Sequence, residues 1–234
     1  MAGLHLEQFR CGDNLAYLLY GNKESVAIDA VAWEEILRFL DRHGLSLNYV
    51  TNTHGHFDHT AGNEPILRHS RARYLDHNDF ADGGNIEIEG EALRVYRTPG
   101  HTADSVCFHM GGVMITGDTL FNGTVGNCFS GNLPAFFRSI KRLMALPGDT
   151  LIYAGHDYVP DSVAMAKQLE PDNPDIKRFR QAYDPGHVYS TLAEELKVNP
   201  YLRFNEPAII ALLKGHNLPH ATEEERWISL MSID

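Results

Sequence analysis

Short apolar runs broken by turn residues dominate the first part of the chain, and longer-period apolar stripes replace them later. Leu15–Tyr20 and Ser25–Asp29 flank the turn dipeptide Gly21-Asn22 and predict a hairpin. Trp33, Ile36, Leu37 and Leu40 recur at helical spacing and stop at Gly44, a helix with a glycine C-cap. Leu47–Thr51 predicts a strand that runs into a histidine-rich segment, and Asn63–His69 a short helix with Pro65 near its start. Ile86–Ile88 with Leu93–Tyr96 around Gly90 predicts a second hairpin; Val106–Met110 with Val113–Thr116 around Gly111-Gly112 predicts a third. Beyond residue 133, Phe136, Phe137, Ile140, Leu143 and Met144 form a helical stripe, and Leu151–Tyr153 is the last strand expected. From Val159 onward helix signals dominate. Thr191 with Glu194 and Thr222 with Glu225 are capping boxes, and Pro207 opens an Ile209–Leu213 helix that ends at Gly215. Pro171–Pro174 reads as a turn between helices. Strands mixed with helices, then helices only, predict an α/β core with a helical C-terminal extension.

Composition narrows the function classes. The 234 residues, 43% of them hydrophobic, suffice for a real core and admit one or two domains. A net charge of −11 argues against a nucleic-acid binder and against docking on an anionic membrane. Three cysteines, Cys11, Cys107 and Cys128, cannot all pair within one chain, so a reducing compartment and a cytoplasmic location are expected. No apolar run approaches a membrane span, and the start MAGLHLEQFR lacks the pattern of a signal peptide.

The 13 histidines carry the chemistry. His54, His56, Asp58 and His59 fall within six residues directly after an apolar strand, with Gly55 allowing a tight loop. Imidazole and carboxylate are ligands for Zn²⁺ or Fe, and four of them on one loop are too crowded for a single tetrahedral ion. His101, Asp118 and His156 each follow a glycine at a predicted strand end and can complete the set. Packed together without a cation, these groups would repel or strand protons. His5, His43, His69, His77, His109, His187, His216 and His220 read as ordinary surface or core histidines.

These segments, with Thr116-Gly117-Asp118-Thr119-Leu120-Phe121, resemble the metallo-β-lactamase superfamily. Asp13-Asn14, Gly155-His156-Asp157-Tyr158, Glu170-Pro171, Ser190–Glu195 and Asn199–Arg203 are more narrowly similar to glyoxalase II, hydroxyacylglutathione hydrolase. The resemblance implies a four-layer αββα sandwich over residues 1–158 and a helical substrate-binding domain over 159–234. It assigns His54, His56 and His101 to one metal, Asp58, His59 and His156 to a second, and Asp118 as the bridge. Two divalent ions, zinc first with iron or manganese as alternatives, would hold a hydroxide that attacks a thioester carbonyl. Asp58 could orient that hydroxide, and Asp29 is a candidate partner that fixes a ligand histidine, or else a turn cap. Cys107, in an apolar strand, reads as core rather than nucleophile.

The substrate-binding positions depart from the family pattern. Tyr158 is retained, but Asn127 stands where the family has a cation, and Phe129 where it has tyrosine. Arg226 occupies the first basic position of the last helix, and Ser229 replaces the lysine after it. Asp104 replaces a glycine near His101 and adds negative charge. The expected activity is thioester hydrolysis on a small molecule whose thiol carrier need not be glutathione. The alternatives are an iron-dependent persulfide dioxygenase-like oxidoreductase on the same fold, or a metal-binding protein without activity. The oligomeric state stays open, a monomer being compatible with the sequence.

Overall fold

The computed structural model describes residues 3–233. One sheet holds β1 (His5–Cys11), β2 (Asn14–Tyr20), β3 (Glu24–Ile28), β4 (Ser46–Thr51) and β5 (Arg73–Tyr74), side by side in that order. The first three are antiparallel neighbours; β3, β4 and β5 run parallel. Parallel neighbours need crossovers. Here they are α1 (Trp33–His43), and then α2 (Phe57–Thr60) with α3 (Asn63–Arg68).

The second sheet is built from β6 (Asn85–Ile88), β7 (Glu91–Arg97), β8 (Val106–Met110) and β9 (Val113–Gly117), an antiparallel meander. A two-stranded ribbon, β10 (Leu120–Phe121) and β11 (Thr124–Val125), leads into α4 (Leu133–Met144). The chain then returns as β12 (Leu151–Ala154), parallel to β9. α5 (Val159–Leu169) and α6 (Asp175–Ala182) follow, then a short strand β13 (Ser190–Thr191) antiparallel to β12. α7 (Leu192–Val198), α8 (Pro207–Gly215) and α9 (Glu223–Leu230) complete the described chain.

Period-two alternation sorts the side chains into layers. Leu15, Tyr17 and Leu19 of β2 point between the sheets, where they meet Val95, Phe108 and Ile115 of the second sheet. Ala16 and Leu18 point the other way, onto Ile36, Phe39 and Leu40 of α1. Cys107, Met114 and Ile152 face outward from the second sheet against Phe136, Ile140 and Leu143 of α4 and Trp227 of α9. Burying each such large side chain contributes about 1.5–3 kcal/mol, so α4 is anchored mainly by this stripe. The result is the expected αββα sandwich with added C-terminal helices. The three hairpins, the α1 C-cap at Gly44 and both capping boxes stand where the pattern predicts them.

Five strands are additional: β1, β5, β10, β11 and β13. β1 lies at the sheet edge with its side chains only half buried, so its apolar signal is weak. β13 is two residues long and exists because β12 offers it an edge. Cys107 is fully buried, and burial pushes its thiol up to about 11, which leaves it a poor nucleophile. Among the described residues, no helix is long and apolar enough to cross a membrane.

Candidate metal centre

β4, β7, β9 and β12 end at one edge of the sandwich, and their following loops carry the ligand-type residues. His54 and His56 leave β4, and α2 begins immediately after His56, which places Asp58 and His59 on its first turn. His101 follows β7, Asp118 follows β9, and His156 follows β12. Gly155 has a specific reason to be glycine: a β-carbon there would lie 2.1 Å from Asp118 Oδ1.

The seven side chains form two groups. His54, His56, His101 and Asp118 make one, and Asp58, His59 and His156 the other, with ligand atoms in each group within 4.8 Å of one another. Asp118 lies between them. Its Oδ2 is 3.4 Å from His101 Nε2 and 3.6 Å from His156 Nε2, and its Oδ1 is 3.3 Å from His59 Nε2. Asp58 Oδ2 is 3.3 Å from His156 Nε2 and 3.9 Å from His59 Nε2.

This arrangement fits metal ions better than a hydrogen-bonded cluster. His56 Nδ1 has His54 Nε2 at 2.9 Å and His101 Nε2 at 3.1 Å, yet a ring nitrogen carries only one in-plane lone pair or one proton. Three ring nitrogens converging on one point are what a tetrahedral ion with bonds of ~2.0–2.1 Å requires. Asp118 Oδ1 is buried without a hydrogen-bond partner, an oxygen left for a cation.

Surrounding groups orient the rings. Asn127 accepts at its backbone carbonyl from His101 Nδ1 at 2.9 Å, leaving Nε2 to face the centre. Asp29 Oδ2 lies 3.0 Å from His59 Nδ1 and accepts from Thr53 Oγ1 at 2.7 Å, while Oδ1 accepts from Thr53 N at 2.8 Å. Asp29 therefore both fixes His59 and caps a tight turn, at a left-handed φ of 51°. Burial opposes charge on His59, but Asp29 and Asp118 outweigh it and raise its pKa to about 11. His54 is pushed down to about 3, by burial and then by positive His59. Two buried carboxylates facing five imidazoles create a demand for positive charge that divalent cations meet.

The candidate substrate residues divide. The Tyr158 ring stacks on His156 with centroids 4.9 Å apart, and Phe129 meets His56 and His101 edge-on at 5.5 and 5.2 Å. Phe129 is 67% exposed, and the Asn127 side chain is also exposed. Arg226 is not gathered at the centre. Its guanidinium donates to Asn205 Oδ1 and to the His220 and Ala221 carbonyls, bracing the loop before α9. Ser229 is buried with its hydroxyl on the Pro219 carbonyl. Asp104 is engaged by His77 Nε2 at 2.7 Å, beside Gly55.

Two residues at the centre were not anticipated as site residues. Asn14 Nδ2 donates to the Asp58 carbonyl at 3.1 Å and lies 3.4 Å from His156 Nε2; the Asp13-Asn14 pair at the start of β2 was its only signal. Phe57, between two ligands, is 82% exposed, a large apolar side chain at the mouth that only its exposure reveals.

Comparison with known proteins agrees with this geometry. The metallo-beta-lactamase superfamily model matches residues 10–77 and 73–156, and the hydroxyacylglutathione hydrolase C-terminus model matches 157–227. The hydroxyacylglutathione hydrolase of Maricaulis maris is 35% identical over 247 residues, covering 96% of this chain and 95% of that protein. That of Chromohalobacter salexigens is 33% identical, covering 86% of this chain and 87% of its own. Among solved structures, ETHE1 from Myxococcus xanthus superposes with a TM-score of 0.69 at 24% identity, over 98% of this chain and 90% of that one. A metallo-beta-lactamase from Staphylococcus aureus gives 0.71 at 18% identity, over 100% of this chain and 68% of that one; both likenesses speak to fold. The chain belongs to the metallo-β-lactamase superfamily and, within it, to the hydroxyacylglutathione hydrolase family. It is a divalent-metal protein that acts on a small molecule.

Proposed function

We propose that the chain is a binuclear metal-dependent thioester hydrolase of the glyoxalase II type. The observation that carries this reading is the position of Asp118, within 4.0 Å of nitrogens from His54, His59, His101 and His156 and so shared by both ligand groups. His54, His56, His101 and Asp118 would hold one ion, and Asp58, His59, His156 and Asp118 the other. Zinc is the first choice, with iron or manganese as alternatives. Bound ions supply Lewis-acid polarisation of a carbonyl and a water of lowered pKa. Asp58, with its side chain half exposed at the mouth, accepts a hydrogen bond from the attacking water and aims it. Asn14 steadies the Asp58 main chain, and Asp29 and Asn127 hold His59 and His101 in the required tautomers. Tyr158, Phe129 and Phe57 form aromatic walls around the thioester.

The division into a catalytic part, 1–158, and a helical part, 159–234, belongs to the same proposal, supported by the change of family model between residues 156 and 157. So does a thiol carrier other than glutathione, because Asn127, Phe129 and Ser229 provide no cation and Arg226 is engaged elsewhere.

Metal analysis with a thioester panel tests the reading. Expected are two ions per chain and hydrolysis of at least one of lactoylglutathione, acetyl-coenzyme A and acetyl-pantetheine. Fully metallated protein that turns over none of them overturns it. Iron with oxygen uptake on glutathione persulfide would instead establish the oxidoreductase alternative.

A further inference from the structure

Asp104 stands where the family pattern has glycine, so its side chain is an addition of this chain. Its Oδ2 accepts from His77 Nε2 at 2.7 Å. His77 opens a single helical turn after β5, His77–Asp79, and its ring is buried. Burial opposes charge on Asp104, but the Thr102 hydroxyl and His77 outweigh it and lower its pKa. Thr102 Oγ1 in turn lies 2.6 Å from Ser105 Oγ, which accepts from Thr102 N at 3.1 Å. Asp104 is thus held as a carboxylate in one orientation.

That orientation sets the pair against the backbone between two metal ligands. A β-carbon on Gly55 would stand 3.0 Å from Asp104 Oδ2 and 4.0 Å from His77 Nε2. Gly55 separates His54 from His56, and Asp104 follows His101 by three residues. At their base the two ligand loops are joined by Val106 N, which donates to the Thr53 carbonyl at 2.8 Å. The Asp104–His77 pair adds a contact further out, and it brings in a third segment of the chain.

The His77 ring is placed for this contact. Its Nε2 carries the proton that serves the carboxylate, so it cannot also accept from Asn78 Nδ2, 3.5 Å away. Its Nδ1 is buried with no hydrogen-bond partner among the described residues, and Asp76 Oδ1, at 3.7 Å, is too far to supply one. A buried polar atom left unpaired is unfavourable, which makes packing alone a poor account of this histidine.

We infer that Asp104 and His77 are positioning residues for the first ion: together they pin Gly55 and so fix the spacing of His54, His56 and His101 before metal arrives. The inference rests on the two-ion reading above. Glycine is the loosest backbone hinge available, and here it lies between two ligands of one ion. Restraining it in the bound geometry lowers the ordering cost of metal binding. The second group is steadied from elsewhere, by Asn14 on Asp58 and Asp29 on His59.

The test measures the stepwise cobalt(II) affinities of the full chain by chelator competition. The variants are Asp104→Ala, His77→Ala, the two combined, and His77→Gln, which keeps an amide donor for Asp104. Each alanine variant should weaken one ion about 10–100-fold and leave the other unchanged. The combined variant should lose no more than the weaker single variant, because the two residues act as one unit. His77→Gln should recover most of the loss. Unchanged affinity in both single variants, equal weakening of both ions, or losses that add in the combined variant overturns the inference. Should the alanine variants not fold, Asp104→Gly, the residue of the family pattern, takes their place: selective weakening of one ion supports the pair, and unchanged affinity overturns it. Wild-type protein that binds a single ion fails the two-ion reading instead. The pair is then judged on that ion alone, with weakening of about tenfold or more in its support and no change against it.

Discussion

Gly155 leaves room for the Asp118 carboxylate and for little else, since a β-carbon at 155 would stand 2.1 Å from Oδ1 and 2.9 Å from His59 Cε1. Gly155→Ala must therefore displace the side chain that both ligand groups share. Its metal content is expected to fall below that of wild type, with hydrolysis reduced at least roughly a hundredfold, while circular dichroism stays native. Asp118→Ala should lose metal and activity together. Elemental analysis with a thioester assay checks both, and an Asp118→Ala protein that is metallated and active would refute the two-ion centre.

Asp29 acts on metal only through His59 and the Thr53 turn. Asn tolerates the left-handed backbone at this position, so Asp29→Asn keeps the turn and removes the charge. Metal affinity is expected to drop about 10–100-fold. Chelator competition measures it, and an unchanged affinity would reduce Asp29 to a turn cap.

Asn127 contributes its carbonyl to His101 and exposes its side chain. Asn127→Arg therefore adds a cation at the mouth without disturbing the ligand. The KM for lactoylglutathione should fall roughly tenfold, in line with one charge-assisted contact. No change would count against the missing cation as the reason for discrimination.

Glu195 is fully buried, accepting from Gly123 N, Ser190 Oγ and Asn199 Nδ2. Burial outweighs these donors and pushes its carboxyl up from 4.5 to about 7. A raised pKa means that the native state binds the proton more tightly than the unfolded chain. The contribution to stability is thus full below pH 4.5 and is lost as pH rises through 7, amounting to about 3 kcal/mol at most. Urea unfolding of wild type and Glu195→Gln across that window should show the slope only in wild type.

The ligand loop was readable because four of its donors are consecutive or nearly so, and no core or surface reading tolerates them together. His101, Asp118 and His156 were readable because each follows a strand and a glycine. Main-chain chemistry was not: the Asn127 carbonyl that orients His101 leaves no trace in residue identity. Nor was direction on a helix end. Arg226 occupies the family's basic position, but Asn205 and two carbonyls capture its guanidinium.

Glu195 and β13 reach back from the helical part into the core: one receives the Gly123 amide, and the other pairs with β12. During synthesis, a nascent chain that has emerged only through residue 158 presents β12 as an open edge and Gly123 without its acceptor. Such an intermediate is exposed to aggregation until roughly forty more residues leave the ribosome. Assembly of the loop that orients His101 is therefore coupled to the last third of translation.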